Sequence, residues 1–97
     1  MTDHHFTTSD GVRIAYAVEG AGRPVILLHG FLSSGARNWA APRLVQALVE
    51  AGRQVITPDA RGHGRSDAPT DPAFWPADVM SRDVNELVAH LGLTEYD

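Results

Sequence analysis

The sequence predicts an α/β fold in which an N-terminal hairpin is followed by two parallel strands with two flanking helices. Three observations lead to this prediction: an alternating strand pattern near the N-terminus, two short apolar runs, and a helical pattern after each run. Strands that alternate with helices imply parallel pairing and right-handed crossovers. We interpret residues 1–97 as the N-terminal part of a single domain.

The hairpin is predicted from a turn that separates two strand-like segments. Asp10 and Gly11 form a typical tight-turn pair, and Phe6-Thr7-Thr8 precedes them. From residue 12 to residue 18, apolar side chains alternate with a mixed set. We therefore expect a half-buried second strand there.

Two further strands are predicted from short apolar runs. Val25 to Leu28 is apolar throughout, which is typical of a strand covered on both faces, so we expect it to be a central strand. Gln54 to Thr57 is the next short strand. We expect these two strands to pair in parallel because a helical segment separates them.

Both helices are predicted from apolar periodicity and from residues that favour helix ends. The first has Pro42 near its first turn and Gly52 just past its end. The second is expected to begin near Pro76 and to end at Gly92. Its apolar stripe is formed by Met80, Val84, Leu87, Val88 and Leu91.

Composition excludes several classes of function. The formal net charge is −4 and all eight basic residues are scattered arginines, which argues against a nucleic-acid partner. The chain has no cysteine, so disulfides, thiol catalysis and cysteine-ligated zinc are excluded. It has neither a signal-peptide pattern nor an apolar run of the roughly 20 residues that a membrane helix needs, so we expect a cytoplasmic protein without a membrane partner.

Two motifs at the predicted carboxyl ends of the parallel strands are the most specific features. Residues 24–31 read PVILLHGF, and residues 59–67 read DARGHGRSD. This order resembles the first half of an α/β-hydrolase, in which one buried strand ends in His-Gly-x and the next ends in an Asp-x-x-Gly-x-Gly-x-Ser loop. The resemblance extends from about Phe6 to Tyr96 and implies an incomplete α/β-hydrolase-type sheet. The Gly-x-Ser-x-Gly nucleophile elbow, expected after a third parallel strand, is not found up to Asp97.

The resemblance implies a cofactor-free hydrolase that acts on an ester or a related small molecule. Its oxyanion hole would use the backbone N–H of Phe31, with Gly30 allowing close approach of the backbone and His29 supporting the loop. The second oxyanion donor would follow the nucleophile. We expect no nucleophile, acid or base within this chain, and no cofactor-binding or metal-binding residue.

Residues near the His-Gly-x motif that could serve as a base or a nucleophile are interpreted as structural. A general base needs a nucleophile within reach, and none is indicated beside His29, so we expect its side chain to bond neighbouring backbone. Ser33 and Ser34 lie beside Gly35 and are interpreted as loop formers.

The loop at residues 59–67 is interpreted as a structural turn. Gly62 and Gly64 also fit the opening of a dinucleotide fingerprint, but Asp67 occupies the place of its third glycine. We expect Asp59 and Ser66 to tie the turn through backbone hydrogen bonds.

Charged and titratable residues elsewhere are interpreted as structural. We expect Arg61 or Arg65 to pair locally with Asp59 or Asp67. Histidines 4, 5, 63 and 90 lack the spacing of metal ligands. Asp78, Asp83 and Glu86 are expected to lie on a solvated helix face.

Two alternatives to the esterase interpretation stay open. Family members that open epoxides or remove halides use an Asp nucleophile, although Leu32 departs from the His-Gly-x-Pro form common in parts of the family. The second alternative is a non-catalytic or complementing module that assembles with a C-terminal fragment, or with itself, through an exposed sheet edge.

Overall fold

The computed structural model describes residues 2–29 and 43–97. In chain order, the elements are β1 (Thr2–Thr7), β2 (Arg13–Glu19), β3 (Arg23–Ile26), α1 (Leu44–Glu50), β4 (Arg53–Pro58), a 3₁₀ turn (Pro72–Phe74) and α2 (Val79–Leu91). The predicted position of Pro42 in the first helix lies outside the described residues.

The four strands form one mixed sheet in the order β1-β2-β4-β3. The hairpin prediction is confirmed, because β1 and β2 pair antiparallel with Phe6 opposite Ile14. The parallel pair is confirmed as well, since β3 and β4 run side by side with Val25 opposite Val55. Strand β2 runs antiparallel to β4 and joins the hairpin to the parallel pair.

The Val25–Leu28 run, predicted as a central strand of the sheet, pairs with one strand within the described residues and bonds Asp97 on its other side. Strand β4 is central, and β3 lies at the edge. Leu28 lies beyond the end of β3 and is 56% exposed. An apolar run reports a preference for burial, whereas the position in the sheet depends on which strands pair.

The side of β3 that faces away from β4 makes hydrogen bonds to Asp97. The N–H of Ile26 donates to the carbonyl of Asp97 at 2.8 Å, and the N–H of Asp97 donates to the carbonyl of Pro24 at 3.0 Å. Asp97 thus bonds the two residues that flank Val25, which is the pattern of a parallel ladder. The edge of β3 is therefore placed to accept a further parallel strand.

The main core lies between the sheet and α2. Alternate residues of one strand face the same side of a sheet, so side chains from three strands meet Leu87 of the helix. The buried cluster consists of Phe6, Val12, Ile14, Tyr16, Ile56 and Leu87. Helix α1 contacts β4 and buries Val45.

Helix α2 begins three residues after the predicted start and ends where the sequence predicts. Gly92 adopts the left-handed conformation with φ 66°, and the N–H of Leu93 donates to the carbonyl of Val88 at 3.1 Å, which closes the helix end. Met80 belongs to the predicted apolar stripe but is 46% exposed. Within residues 2–29 and 43–97, no helix is long and apolar enough to cross a bilayer.

Candidate active site

The candidate site lies where the two parallel strands end. Strands β3 and β4 point in the same direction, so their carboxyl ends meet at one edge of the sheet. The N–H of Leu27 donates to the carbonyl of Ile56 at 3.0 Å, which continues the pairing past β3. His29 and Asp59 follow the two strands and lie at this edge, where open α/β sheets bind ligands.

His29 contacts the backbone of the loop that follows β4. Its Nε2 accepts a hydrogen bond from the N–H of Ala60 at 2.9 Å. The His29 ring lies 5.1 Å from the ring of His63, at a tilt of 57°. Because an accepting Nε2 carries no proton, this bond selects the neutral ring with its proton on Nδ1.

Gly30 and Phe31, which carry the predicted oxyanion-hole backbone, lie outside the described residues. The same holds for Ser33, Ser34 and Leu32. Their roles stay predictions that rest on the sequence motif.

The loop at residues 59–67 is tied through backbone hydrogen bonds as predicted. The N–H of Arg65 donates to Asp59 Oδ2 at 3.1 Å. Ser66 Oγ donates to the carbonyl of Asp59 and accepts from the N–H of Ala15 at 2.8 Å. The Ser66 hydroxyl is therefore buried and committed to holding the loop against β2.

Close contacts explain why glycine occupies position 64 of this loop. A Cβ built on Gly64 would lie 2.4 Å from Asp59 Oδ2, and the residue has φ 52°. Any side chain there would push the Asp59 carboxylate out of its bond to Arg65. Position 64 of this loop thus has little room for a side chain.

The predicted local pairing of the loop arginines is wrong. Arg61 is 1% exposed, and it bonds Asp83 through two nitrogens, each at 2.7 Å. It also bonds both Asp10 carboxylate oxygens, at 2.9 and 3.1 Å. Arg65 pairs with Asp3 of strand β1. The partners are distant in sequence, because the loop is folded back over the hairpin and against α2.

Asp83 was expected on a solvated face, and that expectation is wrong. Its carboxylate is buried and forms a bidentate pair with Arg61. The sequence contained a signal for this, since Asp83 lies four residues after Val79 and four before Leu87, on the stripe that the helix buries. Glu86 accepts a hydrogen bond at 2.6 Å from the N–H of Ser9, which ties α2 to the hairpin turn.

Ion pairing shifts the pKa values of Asp10 and Arg61. The hydrogen bond from Arg61, followed by that from Thr8, lowers the pKa of Asp10 from 3.8 to about 2. The hydrogen bonds that Arg61 donates to Asp83 and Asp10 raise the pKa of Arg61 above its usual range. Arg61 is therefore a permanent cation, held by carboxylates from the hairpin turn and from α2.

A mostly apolar cleft of about 470 Å³ opens beside these loops. Leu28 and Met80, both strongly exposed, are among its lining residues, and His29, Asp59 and His63 are among the polar ones. The cleft therefore combines apolar surface with the residues that follow both parallel strands.

Comparisons with known proteins point to one family. Residues 23–96 match the sequence model of the alpha/beta hydrolase fold. A soluble epoxide hydrolase from Corynebacterium sp. (strain C12) is 38% identical over 92% of this chain and 29% of its own length. A non-heme haloperoxidase from Rhodococcus erythropolis is 42% identical over 92% of this chain and 31% of its own length.

A solved structure agrees with these matches. An esterase from Exiguobacterium antarcticum superposes with a TM-score of 0.83 at 32% identity, over 95% of this chain and 32% of the esterase. The chain thus spans about a third of the length of each of these three proteins.

Proposed function

Because the chain belongs to the alpha/beta hydrolase fold family, we propose that it is the N-terminal segment of a cofactor-free hydrolase that acts on an ester or a related small molecule. The observation that carries the proposal is the bond between His29 Nε2 and the N–H of Ala60. It fixes the residue before Gly30 at the carboxyl edge of the parallel strands, beside the apolar cleft. This edge is where substrates bind in open α/β sheets.

In this proposal, the chain contributes one half of the oxyanion hole. Attack on an ester carbonyl places negative charge on its oxygen, and a preorganised backbone N–H stabilises that charge by several kcal/mol. The N–H of Phe31 is the proposed donor. The second donor and the nucleophile, acid and base would come from sequence after Asp97, so we expect the 97-residue chain to be inactive by itself.

The coding sequence after Asp97 provides the first test. We expect an open frame that encodes Gly-x-Ser-x-Gly within about 10 residues, the upper end of the usual range of strand lengths. The protein made from that frame should hydrolyse short-chain nitrophenyl esters, and replacing the elbow serine by alanine should abolish turnover.

The isolated chain is the matched control. We expect it to show no turnover above buffer. Robust esterase activity of the isolated chain that is lost in Ser33→Ala, Ser34→Ala or Ser66→Ala would contradict the proposal.

An epoxide hydrolase or dehalogenase activity is the alternative within the family. The 38% identity to a soluble epoxide hydrolase favours it. These branches use an Asp nucleophile, so the residue at the centre of the elbow separates the alternatives. Aspartate there, with turnover of an epoxide or a haloalkane, would replace the ester proposal.

Assembly through the sheet edge is the non-catalytic alternative. The backbone bonds between β3 and Asp97 favour such assembly, because the outer edge of β3 has the geometry to pair with a parallel strand. Size-exclusion chromatography with light scattering would then show a dimer, or a 1:1 complex with a C-terminal fragment. A monomer at all concentrations that binds no fragment would contradict this alternative.

The variant Ile26→Pro tests the edge directly. The N–H of Ile26 points away from β4 and donates to the carbonyl of Asp97, whereas the N–H of Leu27 bonds β4. Proline at residue 26 therefore removes a donor from the outer edge of β3 and keeps the bond between Leu27 and β4. Assembly through this edge should be lost in the variant.

A further inference from the structure

Arg61 and His29 are connected through one backbone amide. Arg61 directly follows Ala60, whose N–H donates to His29 Nε2 at 2.9 Å. The orientation of the Ala60 amide depends on how the start of the loop at residues 59–67 is fixed. Arg61 is the residue in this loop whose side chain is most deeply buried.

The Arg61 side chain is fixed from three elements. Its nitrogens bond Asp10 of the hairpin turn, Asp83 of α2 and the carbonyl of Phe74 in the 3₁₀ turn, the last at 2.7 Å. The planar guanidinium bonds each carboxylate at two points, which restricts rotation as well as translation. The backbone at Arg61 is thus held in one place relative to both the hairpin and α2.

We propose that Arg61 is a positioning residue, which through the Ala60 amide holds His29 in the Nδ1–H tautomer at the start of the oxyanion-hole segment. The inference rests on the proposed function, since His29 precedes Gly30 and Phe31. A merely stabilising Arg61 would change the free energy of unfolding and leave the tautomer of His29 in the folded state unaltered. The two roles can therefore be separated by experiment.

The test measures the imidazole of His29 and the amide of Ala60 by NMR in the folded 97-residue chain. Nitrogen-15 shifts report which ring nitrogen carries the proton, and hydrogen exchange reports protection of the amide. In Arg61→Lys, which keeps the charge but loses the bidentate geometry, we expect mixed His29 tautomers. We also expect exchange at Ala60 to be roughly tenfold faster.

Arg65→Lys is the matched control, because Arg65 lies in the same loop and pairs with Asp3 at the surface. It should leave both signals unchanged. Asp10→Asn is the second variant if Arg61→Lys does not fold, since it keeps the Asp83 pair and loosens one side of the guanidinium. It should shift both signals in the same direction by a smaller amount.

Two results would overturn the inference. One is that folded Arg61→Lys keeps both the His29 tautomer and the rate of hydrogen exchange at Ala60. If Arg61→Lys does not fold, the same result in Asp10→Asn overturns the inference. The other is an equal change in Arg65→Lys. The measurement involves no turnover, so its failure leaves the proposed hydrolase activity standing, and absence of esterase activity leaves the role of Arg61 standing.

Discussion

At the scale of single residues, burial of Arg61 is the feature that organises the loop after β4. A buried cation is costly unless its partners are charged and well placed. Asp83 and Asp10 meet this requirement from two elements, and the side chain of Arg61 is 1% exposed. Removing one partner should therefore cost much more than removing a surface pair.

The variant Asp83→Ala tests the cost of leaving Arg61 with one carboxylate. We expect a loss of about 3 kcal/mol in the free energy of unfolding, because a buried pair is broken and Asp10 compensates only in part. Asp78→Ala is the control just before the same helix, since Asp78 is exposed, makes no side-chain bond to the helix N-terminus and lies 3.9 Å from Arg82. It should cost under about 1 kcal/mol in urea unfolding. Equal losses would contradict the prediction.

Acid should weaken the ion pair between Asp10 and Arg61 and thereby lower the free energy of unfolding. The pKa of Asp10 is lowered from 3.8 to about 2, so its contribution to stability is fully present above the unfolded value. It is lost as the pH falls from about 4 to about 2, because the carboxylate becomes protonated and no longer pairs with Arg61. Urea midpoints across this range should fall in the parent and less steeply in Asp10→Asn. If the urea midpoints of the parent and of Asp10→Asn fall equally with pH, Asp10 does not contribute to the acid sensitivity of the fold.

At the scale of elements, the amino ends of β3 and β4 are held by close backbone contact and by charge. A Cβ built on Gly22 would lie 2.0 Å from the carbonyl oxygen of Gly52, and Gly22 has φ 119°. Beside them, Arg23 and Arg53 bond the Asp97 carboxylate and lower its pKa. These contacts fix the register of β3 relative to β4 and the position at which Asp97 bonds the outer edge of β3.

The variant Gly22→Ala should disrupt the start of the parallel pair. We expect a loss of about 3 kcal/mol or more, because backbone strain adds to a clash with main-chain atoms. Gly11→Ala is the matched control, since Gly11 has φ 87° and no atom within 4 Å of an added Cβ. It should show the strain alone, about 1 kcal/mol, in thermal or urea unfolding. A milder effect at residue 22 than at residue 11 would contradict this account.

At the scale of the whole molecule, the described sheet leaves apolar surface open on the side of the cleft. Leu28 and Met80 lie there at 56% and 46% exposure, and the buried core residues Ile14 and Leu87 form part of the cleft wall. Larger exposed apolar patches are typical of regions that bind another part of a protein or a ligand, so we expect this surface to favour such contacts. It also makes the isolated chain prone to bind apolar dyes.

Dye binding tests that the cleft is open in the 97-residue chain. We expect the fluorescence of anilinonaphthalene sulfonate to rise with the chain and to fall for the double variant Leu28→Asn with Met80→Gln. Tyr96→Ser is the control, because Tyr96 is 39% exposed and does not line the cleft. Near-ultraviolet circular dichroism should confirm that each variant keeps its packing. Unchanged fluorescence in the double variant would show that the dye binds elsewhere.

The sequence by itself determined the element types, the hairpin, the parallel pair and the family. Local patterns carry this information: period-2 alternation in β2, an apolar run in β3, and glycine at the end of α2. The two loop motifs could also be recognised from the sequence, because each lies at the carboxyl end of a predicted strand.

Tertiary structure alone decided the edge position of β3 and the partners of Arg61, Arg65 and Asp83. Each depends on contacts between residues far apart in the chain: Arg61 meets Asp10 across the sheet end, and Arg65 meets Asp3 of β1. A charged residue in a loop has the same local pattern whether it is solvated or buried. Its burial is settled by which elements pack over it, and that is a property of the folded chain.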